Sequence, residues 1–127
     1  MVSWINFIDL ENTMDDIEKK LAISLPNDLK DIIKKFNKGM QKPNKIPLGN
    51  EKFAILSQLL SFNFDEELSV YSCMTPEMKK NKIIPLAITS NNNFVCLKNE
   101  KIILYNIEHN AEKFICDTFN DLLLMLN

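Results

Sequence analysis

His109 is the one residue whose ordinary pKa lies near neutrality, and Cys73, Cys96 and Cys116 are the three thiols that could attack a substrate or hold a metal. A catalytic histidine needs a group to activate and a second group to orient it. No spacing in the chain sets a cysteine or an acid beside His109 in that way. Its neighbours Glu108, Asn110 and Glu112 point to an exposed strand end. The three cysteines and His109 are enough ligands in number for zinc, but no two form the close pair that a structural zinc site normally brings. Widely separated thiols fit small apolar core residues.

Acidic pairs do no better as catalysts. Asp15-Asp16 and Glu66-Glu67 are adjacent in sequence, so their side chains diverge on either a helix or a strand. Asp15, Asp16 and Glu18 near a helix start are explained by the helix dipole. Gly39 and Gly49 are the only glycines, too few for a glycine-rich phosphate cradle, and no nucleophile-elbow pattern occurs. The chain is expected not to be an enzyme and to need no cofactor or metal.

Bulk properties set the frame for a binding protein. At 127 residues, with 46% apolar and 25% charged residues, the sequence is expected to form one domain spanning residues 1–127. Net charge is −2, and all fifteen cations are lysine, which argues against direct nucleic-acid binding through phosphate clamps. The amino terminus has no cation before Lys19, and no run is long enough to span a bilayer, so neither export nor membrane insertion is expected. An odd number of cysteines without a close pair fits a reducing cytoplasm. Charge is segregated along the chain. Residues 19–52 hold nine lysines against three acids, whereas residues 53–78 carry only Asp65, Glu66, Glu67 and Glu77. One-signed blocks are solvated faces or partner surfaces that steer an oppositely charged protein.

The elements that must present these residues follow from periodicity. A helix is predicted from Thr13, with Met14, Ile17 and Leu21 on one face, and a second from Pro26, with Asn27 or Asp28 in its cap or first turn. Leu29, Ile32, Ile33 and Phe36 recur at helical spacing there, and Gly39 is the expected stop. Asn37 to Glu51 reads as a loop because Pro43, Pro47 and Gly49 interrupt it. Lys52–Leu56 is expected as a short strand and Ser57–Leu60 as a helical turn. Asn63–Glu67 reads as an acidic loop, and Leu68–Met74 fits either strand or helix. Thr75-Pro76-Glu77 opens a short helix. Strands are predicted at 83–89, 94–98 and 102–107, the last two joined by a tight turn at Asn99-Glu100, with a short extended piece at Lys113–Cys116. Asp117 or Thr118 then caps a helix whose Phe119, Leu122, Leu123 and Leu126 share a face. Helices at both ends around a run of strands indicate an α+β fold.

Four sequence pieces, in order, carry a family resemblance. They are Leu25-Pro26-Asn27-Asp28-Leu29 after a first helix; Phe36-Asn37-Lys38-Gly39 at a helix exit; Ile84-Pro85-Leu86-Ala87, a polar break and Asn93-Phe94-Val95-Cys96-Leu97; and Ile103-Leu104-Tyr105 with Glu108-His109 before Ile115-Cys116-Asp117-Thr118-Phe119. This order resembles the SUKH superfamily, which includes a yeast cell-wall synthesis regulator and many bacterial toxin-immunity proteins. Two departures stand out. Ser90-Asn91-Asn92-Asn93 replaces the glycines frequent in the family, and Asn106-Ile107 stands where a tryptophan often precedes the acid–histidine pair. The resemblance implies a central, mainly antiparallel sheet flanked by N-terminal helices and a C-terminal helix. It also implies an immunity protein that occludes a cognate toxin, or alternatively a regulatory scaffold that binds a cellular protein. If the toxin is a nuclease with a basic surface, Asp65, Glu66, Glu67, Glu108 and Glu112 are the candidate contacts.

Overall fold

A computed structural model describes residues 2–91 and 93–127, so Asn92 of the polar break lies outside the described residues. Six strands form one antiparallel sheet in the order β3-β4-β5-β6-β7-β8: β3 Lys45–Gly49, β4 Lys52–Leu59, β5 Ile84–Thr89, β6 Phe94–Lys98, β7 Lys101–Asn106 and β8 Ala111–Cys116. Strand order follows chain order throughout, with short turns between all neighbours except β4 and β5, which residues 60–83 connect. A separate two-stranded ribbon pairs β1 Ser3–Ile5 with β2 Met40–Lys42. The helices are α1 Met14–Leu21, α2 Asn27–Phe36, α3 Val70–Cys73, α4 Pro76–Lys80 and α5 Phe119–Met125. This is the α+β arrangement expected, with helices before, beside and after the sheet.

The register of β6 explains its unbroken apolar run. Val95 pairs with Leu104 and Leu97 with Ile102, while Phe94 pairs with Tyr105 and Cys96 with Ile103. Alternation sends these two sets to opposite faces, and all but the half-buried Leu104 are buried. Leu29 of α2 and Phe119 of α5 lie beside Leu97 and Ile102 on one face. Asn99 and Glu100, with φ of 50° and 62°, close the β6–β7 hairpin in the left-handed pair that matches strand twist.

Helix ends obey local chemistry. Thr13 accepts a hydrogen bond from the Asp16 N–H, Thr75 from that of Met78 and Thr118 from that of Asp121. Pro26 occupies the α2 cap without a side-chain bond, and Asp28 in the first turn accepts the Asn120 N–H at 2.9 Å, joining α2 to α5. Past α2 the left-handed residue is Lys38 (φ 63°), not Gly39. Gly39 answers a different need: a Cβ there would lie 2.8 Å from the Phe36 carbonyl oxygen and 3.1 Å from Trp4.

Two expectations are corrected and one open alternative is resolved. Residues 37–51 are not a loop, because β2 and β3 lie within them. Pro47 is tolerated because β3 is an outer strand whose second edge needs few N–H donors. Lys45 of β3 instead exchanges backbone bonds with Asn127 at 3.0 and 2.9 Å. Ser57–Leu60 is not a helical turn, since β4 runs to Leu59. A bulge between Leu56 and Gln58 shifts the strand's phase, so buried Leu56, Leu59 and Leu60 imitate helical spacing. The ambiguous segment 68–74 resolves as α3, where Ser69 and Ser72 form a reciprocal capping box.

Candidate functional site

Among the described residues the chemistry-bearing groups do not converge. His109 sits in the β7–β8 turn with its side chain 73% exposed, and its Nε2 lies 4.0 Å from a Glu108 carboxylate oxygen that is itself open to solvent. Cys96 is fully buried in the middle of β6, Cys73 ends α3 and Cys116 ends β8. Burial pushes all three thiols up from their ordinary value, that of Cys116 to about 11 with help from the Asp121 and Asp117 charges. A raised thiol is a poor nucleophile and a poor metal ligand at neutral pH. Among the described residues no group of three or more His, Cys, Asp or Glu could hold a metal ion. No helix there is long and apolar enough to cross a membrane.

The five candidate acids fall on two elements. Asp65, Glu66 and Glu67 lie on the loop between β4 and α3, while Glu108 and Glu112 belong to the β7–β8 turn and β8, four strands further across the sheet. The loop is held firmly. Ser61 and Ser69 bridge its two ends, and the Val70 N–H donates to the Ser61 carbonyl at 2.9 Å. Inside it, buried Asn37 accepts the Phe62 N–H at 2.8 Å and donates to Ser61 Oγ at 3.2 Å. Asn63 accepts the Glu11 N–H at 2.7 Å and donates to the Asp9 carbonyl at 2.9 Å, and Asn12 accepts the Phe64 N–H at 2.9 Å. Asn63 and Asn12 thus clasp the N-terminal arm to the acidic loop, and Asn37 ties the end of α2 to it.

Local charge sorts the acids. Glu66 pairs with Lys38 at 3.6 Å and Glu112 with Lys98 at 2.6 Å. Asp65 and Glu67 are exposed and make no ion pair among the described residues. On β8, Phe114 stands two residues from Glu112, on the same face by strand alternation, and is 59% exposed. Aromatic residues are enriched at the cores of protein interfaces.

A surface that no motif announces lies between the end of α1, α3 and the α4–β5 connection. It is a groove of about 600 Å³ with Leu21, Ile23, Met74 and Ile84 among its lining residues. Lys20, Lys79 and Lys82 stand around it. The Lys20 ammonium lies 5.1 Å from the Phe64 ring centre and 5.4 Å from that of Tyr71, so the groove adjoins the acidic loop. Two distant parts of the chain, residues 20–23 and 71–84, build it. The one sequence signal for it is the excess of lysine in residues 19–52, which covers only Lys20 of the three.

The sheet and its flanking helices define a domain of α+β class, with its reactive groups dispersed among the described residues. A family model described as SMI1 / KNR4 family (SUKH-1) matches residues 10–125. The chain belongs to this SUKH family, which includes toxin-immunity proteins and related regulators. No match was found among curated proteins or solved structures.

Proposed function

We propose that residues 1–127 act as one domain, in the cytoplasm, as an immunity protein that binds and neutralises a cognate bacterial toxin by stoichiometric occlusion. The family match over residues 10–125 carries this reading, because SUKH proteins bind partner proteins. Catalysis is not part of the proposal. Exposed His109 lacks a second group to orient it, and burial keeps the thiols protonated. The partner is a protein, not nucleic acid or membrane, and the fifteen cations include no arginine for bidentate phosphate contacts.

Asp65, Glu66, Glu67, Glu108 and Glu112 are proposed to steer a basic toxin surface toward the chain, with the exposed Phe114 as an apolar anchor that slows dissociation. The alternative within the family is a regulatory scaffold for a cellular protein. Gene context separates the two: a toxin gene beside this one supports immunity, and an isolated cell-wall or metabolic operon supports the scaffold. The direct test is to co-express the neighbouring toxin with and without this chain. Survival together with co-purification is expected only when the chain is present. Toxicity unchanged by the chain contradicts the proposal.

A further inference from the structure

We infer that the lysine-rimmed groove between α1, α3 and α4 receives an acidic segment of the partner protein, with apolar side chains on its floor and carboxylates at its rim. The inference rests on the protein-binding reading above and adds the place and the charge of a second contact, opposite in sign to the acidic loop beside it.

Two observations carry it. First, Lys20, Lys79 and Lys82 make no ion pair among the described residues, whereas Lys30, Lys38, Lys98 and Lys101 each hold a carboxylate within 4.0 Å. Three ammonium groups without a carboxylate partner around one depression, Lys20 also facing the Phe64 and Tyr71 rings, attract a ligand of opposite charge. Second, the groove is about 600 Å³ and its base is apolar, with Ile83 and Ile84 buried beneath it. Tyr71 offers no free hydroxyl proton there, because its O–H donates to the Phe62 carbonyl at 2.8 Å.

The same geometry selects a chain segment over a small anion. The lysines come from three places, the last turn of α1, α4 and the turn after it, which suits carboxylates spaced along a peptide. Leu21 and Ala22, at the C-terminal end of α1, also line the groove. The carbonyl end of a helix opposes an anion on the floor, where no cation offsets it, whereas at the rim Lys20 in the last turn of α1 and Lys79 in that of α4 supply the positive charge.

The experiment is an NMR titration of the full-length ¹⁵N-labelled chain with the peptide acetyl-Glu-Leu-Asp-Phe-Glu-amide. Expected are amide shifts confined to residues 20–23, 71–74 and 79–84, with affinity falling as sodium chloride is raised. The triple variant K20E/K79E/K82E, with its fold verified by circular dichroism, should bind roughly tenfold or more weakly. Shifts elsewhere, no shifts, or an equal response to acetyl-Lys-Leu-Lys-Phe-Lys-amide overturn the inference. Octanoate binding the groove more tightly than the peptide also overturns it, by assigning the site to a small amphipathic anion. The toxin co-purification separates this inference from its premise. Capture by the wild-type chain and equally by the triple variant refutes the groove and leaves the immunity reading intact. Failure of capture by the wild-type chain refutes immunity, and the peptide titration still decides the groove.

Discussion

Replacing Asn37 with alanine should open the clasp that fixes the acidic loop. Asn37 is 1% exposed, accepts the Phe62 N–H at 2.8 Å and donates to Ser61 Oγ at 3.2 Å. Truncation leaves the Phe62 N–H buried without a partner, which costs about 1–3 kcal/mol. Ser61 Oγ loses one donor but still accepts the Asn63 N–H at 3.1 Å. That second loss is smaller, about 0.5–1.5 kcal/mol. The sum is about 1.5–4.5 kcal/mol, and with a urea slope of about 2 kcal/mol/M the unfolding midpoint should fall by roughly 0.8–2.2 M. Urea denaturation followed by tryptophan fluorescence reads the midpoint, and hydrogen exchange at Phe62, Asn63 and Phe64 reads the loop. Asn12→Ala removes only the part-buried bond to the Phe64 N–H and should cost about 1 kcal/mol. A midpoint for Asn37→Ala within about 0.3 M of wild type, with loop exchange unchanged, would refute the clasp as the loop's anchor.

Other outcomes follow from single contacts. Gly39→Ala should destabilise the fold by about 1–3 kcal/mol in thermal or urea melts, because the new methyl meets the Phe36 carbonyl oxygen at 2.8 Å and backbone must shift. Cys116 should react with a disulfide reagent increasingly as pH climbs toward 11, while buried Cys96 stays inert in the folded chain; rapid labelling of Cys96 at pH 8 contradicts its burial. Because burial raises the Cys96 thiol above its ordinary 9.0, its contribution to stability is complete below that pH and declines as pH rises past it, which alkaline urea titrations would reveal. Glu112→Gln should change stability by less than about 1 kcal/mol despite the 2.6 Å bond to Lys98, since the pair is partly exposed.

Elements with an uninterrupted physical signal were legible from the residues alone. Leu29, Ile33 and Phe119 recur at helical spacing and are buried, and the Asn99-Glu100 turn closes the hairpin it was expected to close. The β2 and β3 strands were hidden because Pro43, Pro47 and Gly49 signal a break, and only the position of β3 at a sheet edge makes Pro47 acceptable. The β4 bulge hid itself by converting a strand period into a helical one at Leu56, Leu59 and Leu60. The site was less legible. Asp65 and Glu67 are exposed as an acidic loop should be, but nothing local announces that Lys38 neutralises Glu66 or that Lys98 neutralises Glu112. The Asn63 and Asn12 bonds of the clasp join residues more than fifty positions apart, beyond the reach of any periodicity.

Binding without turnover is the claim on which everything else stands. Titrating a fixed amount of a purified candidate toxin with this chain, while following toxin activity, measures it most directly. A linear fall to zero activity at one chain per toxin molecule is the expected result. Suppression by far less than one equivalent, or none at several equivalents, contradicts it.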